Sequence, residues 1–470
     1  MKATLSSIST TNDETERLLG FSDAVFAIAM TFLALDLGAI PADVGHPGGT
    51  STLDYLRENI PDYAVYFGTF LVVGFLWWRH HLMFRFIKRS SGGLVWTNTL
   101  MLALVAMLPY PASVVSEAPG LGLALLMLLA PLTLIGLLMW IQWELAVGEK
   151  LVIPGLPKPF VSYIRAQVMA SPIVLFIATI LAIVSWQTGS DVALYLAAVM
   201  WLLLIILPIV LRRFFPAPDE AYEVDIDELS QDWQSLEDTE VEETERVRGL
   251  LTRMRNGSDT DRIKVLTDGV MAIAVTILAL QLRPPPSDET VTNETILENI
   301  SMVPAWTYFV TFVLISLFWR GHVRIFTLLR GADPVVLWLN LFFLMFISFL
   351  PTAAAISAQD QDAGSISETT DGLSFYLLMM FLTGAAMAVL AQYGARSRNL
   401  TVRIGTPTER MIGTIRSVTA VSAFLIALIL VVVFDNPVLS NVIWVIFIAS
   451  GQFSRYLLRR ERREQAAAAH

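Results

Sequence analysis

Long apolar runs separated by short polar stretches dominate the chain. Residues 121–141, for example, contain no charged side chain. About 20 predominantly apolar residues in a helix cross the hydrocarbon core of a bilayer, so each such run predicts a membrane span. Twelve spans are predicted, near 17–37, 61–84, 95–113, 121–143, 166–186, 192–211, 262–282, 303–326, 335–354, 373–394, 412–434 and 438–457. The predicted fold class is therefore an all-α polytopic membrane protein.

Composition narrows the classes of function further. Of the 470 residues, 55% are hydrophobic and 16% are charged, whereas about a quarter of a soluble chain is charged. This excludes a soluble enzyme and a nucleic-acid binder. The chain has no cysteine, which excludes disulfides, thiolate metal sites and iron–sulfur clusters. The polar stretch 1–16 has Asp13, Glu14 and Glu16 where a signal peptide has its basic region, so no signal peptide is predicted.

The two halves of the chain repeat each other. Residues 17–37 align without gaps on residues 262–282, and 11 of the 21 positions are identical. The polar and aromatic residues that follow recur at a constant offset of 242: Trp77, His80, Phe84, Trp96, Asn98 and Pro109 match Trp319, His322, Phe326, Trp338, Asn340 and Pro351. We therefore predict two six-helix repeats, 1–213 and 259–470, joined by a linker over 214–258. Six spans per repeat is an even number, so the repeats should enter the bilayer in parallel.

The charge distribution predicts the orientation. The net charge is −10, but 13 acidic residues lie between Asp219 and Glu245, so the remainder carries −10 + 13 = +3. Lys and Arg concentrate after the even-numbered spans, which places both termini and the linker in the cytoplasm. Two interpretations of the acidic linker stay open: a segment that binds a partner or regulates the protein, or a solvated spacer.

Ionisable residues within spans are expensive and are usually functional. Asp23 and Asp268 lie early in the first span of each repeat, each six residues after an arginine, Arg17 and Arg262. Six positions turn a helix by about 240°, so these residues cannot pair within one helix and must find partners on neighbouring helices. The carboxylates either belong to a buried structural network or attract cations on the cytoplasmic side.

The first span of each repeat also presents a regular face. Ala24, Ile28, Thr31 and Leu35 recur as Gly269, Ile273, Thr276 and Leu280. Small, bulky apolar and hydroxyl residues at this spacing suit close helix packing. They equally suit the wall of a narrow pore, in which Ile forms a constriction. His80, His81 and His322 lie near the inner ends of the second spans, where either hydrogen bonding or proton sensing is open.

The pattern Arg17-x-x-x-Phe21-Ser22-Asp23 resembles the signature of the transmembrane protein 175 family of potassium channels. Trp77-x-x-His80-x-x-x-Phe84, and a Trp-x-Asn pattern before Pro109, are similar to that family as well. In the second repeat, Leu266 and Thr267 replace Phe and Ser, so the packing at that end departs from the pattern.

This resemblance implies a potassium channel in its double-repeat form, a homodimer with a pore of four first helices, two from each chain. It implies a constriction at Ile28 and Ile273, with Thr31, Leu35, Thr276 and Leu280 along the pore. The family's polar network is implied at Arg17, Phe21, Ser22, Asp23, Arg262, Thr267, Asp268, His80 and His322. Potassium ions and the lipid bilayer are the implied partners, in the cell membrane of a prokaryote or the endosomal and lysosomal membranes of animal relatives.

Two rival functions stay open: a proton-coupled secondary transporter that uses Asp23 and Asp268, and a membrane scaffold or sensor that acts through the linker. No nucleotide-binding, metal-ligating or hydrolase motif occurs in the sequence. We therefore predict no enzyme activity, no cofactor, no metal site and no nucleic-acid partner. A selectivity loop of Thr-Val-Gly-Tyr-Gly is absent too, so any potassium preference would come from dehydration at the apolar constriction.

Overall fold

The computed structural model describes residues 2–207, 260–280, 302–362, 369–397, 400 and 407–456, with short gaps near 36–47 and 154–157 and at 205, 330, 451 and 454. The predicted linker 214–258 lies outside these residues. The chain divides into two compact units. The first contains residues 1–36 and 61–266, and the second contains residues 37–60 and 267–470.

The first unit is helical throughout most of its described length. Its helices are α1 (Lys2–Leu35), α3 (Ile60–Phe84), α4 (Gly92–Met107), α5 (Pro109–Glu117), α6 (Gly122–Gly148), α7 (Lys158–Thr188) and α8 (Asp191–Val199). Helix α6 packs along α7 and also against α4, which in turn contacts α1. One antiparallel bridge, between Ile87 and Val152, ties the segment after α3 to the segment after α6.

The second unit repeats this arrangement. The short helix α2 (Thr52–Glu58) precedes α3 in the chain but belongs to the second unit. The other helices of this unit are α9 (Asp261–Leu280, from residue 267 on), α10 (Met302–Leu328), α11 (Pro334–Asp362), α12 (Thr369–Arg396) and α13 (Pro407–Phe434). Helix α12 packs against both α11 and α13, as α6 packs against α4 and α7. A short 3-10 turn, Pro437–Asn441, follows α13.

Within the described residues, nine helical segments are long and apolar enough to cross a membrane, with α4 and α5 counted together as Gly92–Glu117. They coincide with the predicted spans one to five and seven to ten, which confirms the all-α polytopic class with internal repeats. The sixth predicted span contains α8, which ends at Val199 and continues as a 3-10 turn. The eleventh contains the apolar part of α13, Val418–Phe434, and the twelfth contains the apolar segment Pro437–Ser450, which begins with the 3-10 turn.

The helix starts are set by side-chain caps at equivalent positions of the two repeats. Ser91 accepts a hydrogen bond from the Leu94 amide before α4, and Asp333 accepts one from the Val336 amide before α11. Such caps satisfy amides that have no partner within the helix. The proline positions differ: Pro109 separates α4 from α5, whereas the equivalent Pro351 lies inside the continuous α11.

The segment between α1 and α3 packs within the second unit. Ile40 and Val44 are buried against Ile356 near the end of α11. The side-chain amide of Gln359 donates to the backbone oxygens of Pro41 and Val44, at 2.5 and 3.3 Å. The described residues of this segment are therefore held against the end of α11 by both apolar and polar contacts.

Candidate functional site

A buried ion pair lies at the centre of the predicted polar network. The Arg262 guanidinium donates to both carboxylate oxygens of Asp23, from Nε at 3.0 Å and from Nη2 at 2.5 Å. The indole Nε1 of Trp77 donates to the same carboxylate at 2.8 Å. Asp23 is 1% exposed, so its charge is compensated by a fork-shaped, charge-assisted contact rather than by water.

A second chain of hydrogen bonds runs beside this pair. Asn98 of α4 donates from Nδ2 to the Ser22 hydroxyl at 3.0 Å, and its Oδ1 lies 2.9 Å from His80 Nε2. Because Oδ1 only accepts, His80 carries its proton on Nε2. Its Nδ1 is then the acceptor for Arg262 Nη2, 3.2 Å away. The network joins α1, α3 and α4 to the first turn of α9.

The second repeat contains most of the same bonds. Trp319 donates to Asp268 at 2.8 Å, Asn340 donates to the Thr267 hydroxyl at 3.1 Å, and His322 Nε2 lies 2.9 Å from Asn340 Oδ1. Thr267 thus keeps the role of the Ser22 hydroxyl. The histidine rings also pack alike, His80 on Phe84 with centroids 4.3 Å apart and His322 on Phe326 at 4.2 Å.

The two repeats differ in what covers these residues. Asp268 is exposed and Trp319 is 46% exposed, whereas their equivalents Asp23 and Trp77 are buried. Asp268 accepts from Trp319 but has no ion pair among the residues that the structure describes. Among the described residues, the carboxylate of Asp268 thus accepts one hydrogen bond, whereas that of Asp23 accepts three.

Arg17 and Phe21, the first two residues of the motif, lie outside the network. Arg17 is exposed and makes no hydrogen bond or ion pair within the described part of the chain. Phe21 is 56% exposed, while its equivalent Leu266 is fully buried. The structure thus brings Ser22, Asp23, His80 and Arg262 together, and leaves Arg17 and Phe21 at the surface.

The face of α1 predicted to line a pore has three exposed members and one buried member. Ala24 is exposed, as are Ile28 at 41% and Leu35 at 38%. Thr31 is fully buried, and its hydroxyl donates to the backbone oxygens of Ala27 and Ile28. Phe32, at 42%, is exposed next to it.

The equivalent face of α9 is similar in part. Gly269 and Ile273 are half-buried, and Leu280 is 69% exposed. Thr276 is exposed, with its hydroxyl donating to the Ile273 backbone oxygen at 2.8 Å. Only the position of Leu35 is thus exposed in both repeats, and the two threonines differ in burial within a single chain.

Two pairs of network residues were not assigned a role from the sequence: Asn98 with Asn340, and Trp77 with Trp319. A signal was present, because each recurs at the same offset as the two histidines. Arg79 was likewise not assigned. It is buried and donates to Gln167 at 2.5 Å, and its equivalent is Gly321, so no repetition indicated it. Among the described residues, no cluster of His, Asp or Glu suits a metal ion.

Comparison with known proteins finds one family whose model aligns with these residues. The family model described as the endosomal/lysosomal potassium channel TMEM175 matches residues 17–109 and again residues 262–351. These two regions contain every residue of both networks. The resemblance to the TMEM175 family is thereby confirmed in both halves of the chain.

Individual members of the TMEM175 family match over about one hundred residues. A potassium channel of Streptomyces collinus is 40% identical over 105 residues, which are 22% of this chain and 49% of that one. The endosomal/lysosomal proton channel TMEM175 of Homo sapiens is 38% identical over 98 residues, 20% of this chain and 19% of that one. The matches thus span half of the bacterial relative and a fifth of the human one.

A solved structure is similar as well. The crystal structure of a lysosomal potassium-selective channel TMEM175 homologue from Chamaesiphon minutus matches 40% of this chain and 97% of its own, with 24% identity and a TM-score of 0.33.

Proposed function

We propose that this protein is a potassium-permeable cation channel that also passes protons. One observation carries the proposal: α1 holds an accessible apolar line at Ala24, Ile28 and Leu35, next to a buried polar network that fixes the helix. A helix held rigidly on one side and apolar on the other suits the wall of a narrow conduit.

The names of the relatives support permeation of both potassium ions and protons. The relative from Streptomyces collinus is named a potassium channel, and the relatives from Homo sapiens and Gallus gallus are named proton channels. The family consists of channels rather than enzymes, so we propose no catalytic role.

The constriction is proposed at Ile28 and Ile273. Isoleucine side chains offer no oxygen to replace the water that a cation sheds, so the ion that dehydrates at lower free-energy cost passes more easily. Potassium loses its hydration water more readily than sodium, which gives a preference without a carbonyl-lined filter. Protons would cross the same apolar zone along transient water chains.

The proposed channel is a homodimer with four pore-lining helices, α1 and α9 from each chain. Each chain supplies two parallel six-helix repeats, 1–213 and 259–470, with the acidic linker 214–258 and both termini in the cytoplasm. Thr31 and Thr276 flank the constriction, and Leu35 and Leu280 extend it outward.

Flux through liposomes tests the proposal against its two rivals. In liposomes that contain the purified protein, an outward potassium gradient should make the interior negative and so drive uptake of a membrane-permeant cationic dye. An equal sodium gradient should drive less uptake, and protein-free liposomes are the control. Unitary currents in a planar bilayer should accompany the flux. Strict exchange of a cation for protons without unitary currents would establish the transporter instead. If neither potassium nor sodium crosses the membrane, the scaffold or sensor is the remaining function.

A further inference from the structure

Two basic segments lie together just beyond the ends of two membrane helices of the first unit. Segment 85–89 follows α3 and contains Arg85, Lys88 and Arg89, and segment 150–153 follows α6 and begins with Lys150. Neither segment contains an acidic residue. We call the two segments together the basic platform.

Backbone hydrogen bonds join the two segments of the basic platform. The amides of Lys88 and Arg89 both donate to the Leu151 carbonyl, at 2.9 and 3.3 Å, and the Ile153 amide donates to the Phe86 carbonyl at 2.9 Å. The side chains of Phe86 and Ile153 are buried. The basic side chains are therefore carried by a backbone that is fixed by hydrogen bonds and anchored by apolar residues.

The charges of the basic platform lack a countercharge in the part of the chain that the structure describes. Lys88 is half-buried, Arg89 and Lys150 are exposed, and none of the three makes an ion pair there. The neighbouring acid, Glu149, lies at the start of α4, where a Cβ at Gly93 would be 3.7 Å from its Oε1. A carboxylate at that place is favoured by the helix dipole. Guanidinium and ammonium groups held together without an acid suit a phosphate ligand.

The place of the basic platform in the membrane favours the phosphate of a lipid. Helices α3 and α6 are both long and apolar enough to span the bilayer, and they end at Phe84 and Gly148. Because the platform follows directly on both ends, it lies at the depth of the headgroups. Trp96, 75% exposed near the start of α4, marks the same level, since tryptophan is enriched where hydrocarbon meets the headgroups.

The second repeat does not conserve this charge. At the offset of 242, Arg85 and Arg89 correspond to Thr327 and Gly331, so the equivalent segment keeps one of the three basic residues. The fold that the repeats share therefore does not require the basic side chains of segment 85–89.

We infer that the basic platform binds the phosphate headgroup of an anionic phospholipid in the adjoining leaflet. The guanidinium of Arg89 can donate two parallel hydrogen bonds to phosphate oxygens, and Lys88 and Lys150 add point charges. Basic residues beside a membrane span strengthen the attraction to anionic lipids by roughly fivefold for each charge. The inference goes beyond ion conduction, because it concerns a lipid contact on one unit and no part of the proposed pore.

Native mass spectrometry of the full chain in detergent tests the site. The probes are dioleoylphosphatidylglycerol, which is anionic, and dioleoylphosphatidylcholine, which is neutral overall. In the triple variant Lys88→Gln, Arg89→Gln and Lys150→Gln, the affinity for phosphatidylglycerol should fall by about tenfold or more. Binding of phosphatidylcholine should not change, because its attraction does not depend on net charge.

The matched control removes three exposed charges from the second unit, in the triple variant Arg324→Gln, Arg396→Gln and Arg455→Gln. Its affinity for phosphatidylglycerol should stay close to that of the wild-type chain. Equal losses in the two triple variants would show that total charge attracts the lipid, and wild-type affinity in the platform variant would show that the platform does not bind it. Either result would overturn the inference.

Two further measurements distinguish the lipid from other anions. Inorganic phosphate, compared with chloride at the same ionic strength, should displace little phosphatidylglycerol, and complete displacement would assign the platform to a soluble anion instead. Deleting residues 219–245 should leave lipid binding unchanged. Binding that appears only after this deletion would assign the platform to the acidic linker and overturn the inference.

Fluorescence quenching measures the same contact with all the charges in place. The sequence has no cysteine, so Ser90→Cys carries the only thiol, and a bimane label there lies next to Arg89. In liposomes, phosphatidylglycerol brominated close to the headgroup should quench this label more than phosphatidylcholine brominated in the same way. The control is Thr327→Cys, an exposed position in the equivalent segment of the second repeat, where both lipids should quench equally. Equal quenching by both lipids at Ser90→Cys would contradict the inference.

Discussion

The carboxylate of Asp23 pairs with Arg262, 239 residues further along the chain, although Arg17 is only six residues away. The helix itself prevents the closer pair, because six residues place the two side chains on different faces. Arg262 can reach Asp23 because the first turn of α9 packs within the first unit. The contact thus fixes the start of the second repeat to the first helix of the chain.

Removing the charge of Asp23 should destabilise the protein strongly. In Asp23→Asn, Trp77 keeps an acceptor, but Arg262 stays 13% exposed without a countercharge. Loss of one partner of a buried pair costs about 3–5 kcal/mol. Adding Arg262→Met should recover most of this loss, since no unpaired charge remains. Thermal unfolding of both variants in the same detergent, read by size-exclusion chromatography, measures the difference.

An exposed pair provides the control for that experiment. Asp54→Asn removes the partner of Arg57 at the surface, and such pairs contribute about 0–1 kcal/mol. Its midpoint of unfolding should stay close to that of the wild-type protein. If Asp23→Asn unfolds no earlier than Asp54→Asn, the central pair does not stabilise the network.

Much of this network follows from the sequence. The 240° separation indicates that Asp23 needs partners on other helices, and in the structure these are Trp77 and Arg262. The constant offset indicates that the polar residues occur twice. The identity of the partner does not follow, because either arginine satisfies the spacing. Arg262 becomes the partner of Asp23 because residues 260–266 pack within the first unit. That assignment depends on tertiary packing, which the sequence pattern does not reveal.

The faces of the first helices were predictable only in part. A period of 3.6 residues places Ala24, Ile28, Thr31 and Leu35 along one line. The structure keeps Ile28 accessible and buries Thr31, because the exposed arc of α1 is centred toward Phe21 and Phe32 and Thr31 lies beyond its edge. Similarly, apolar patterning predicts the spans but gives no sign that segment 37–60 joins the other unit.

The hydroxyl at position 267 should matter more than its methyl group. Thr267 and Asn340 are buried, and Asn340 donates to the threonine hydroxyl. Thr267→Val keeps the shape but leaves that amide hydrogen unpaired, at a cost of about 1–3 kcal/mol. Thr267→Ser restores the residue type of Ser22 and should lose about 1 kcal/mol or less, from one buried methyl group. Equal midpoints of thermal unfolding for the two variants would contradict a role for the hydrogen bond.

The contact between α6 and α7 depends on a glycine at the start of α6. A Cβ at Gly122 would lie 2.5 Å from the Trp186 backbone nitrogen and 3.0 Å from the Ala182 backbone oxygen. Because backbone atoms cannot move aside, Gly122→Ala should cost about 1–3 kcal/mol by overpacking. Gly148→Ala at the other end of α6 is the control, since a Cβ there meets nothing within 4 Å. That change should stabilise the helix slightly, and both are measured by thermal unfolding.

Polar substitution at the proposed constriction should change both conductance and selectivity. In the double variant Ile28→Asn and Ile273→Asn, amide oxygens would coordinate a passing ion where only hydrocarbon lies now. The free-energy cost of dehydration should therefore differ less between sodium and potassium. We expect a larger unitary conductance and a reversal potential near zero under opposed potassium and sodium gradients. Ile180→Asn with Ile426→Asn is the matched control, because those side chains are 44% and 41% exposed on helices other than α1 and α9, close to the 41% of Ile28. The control should keep the wild-type reversal potential. Wild-type values in the first double variant would place the constriction elsewhere, because four amides on a narrow ion path could not leave dehydration unchanged.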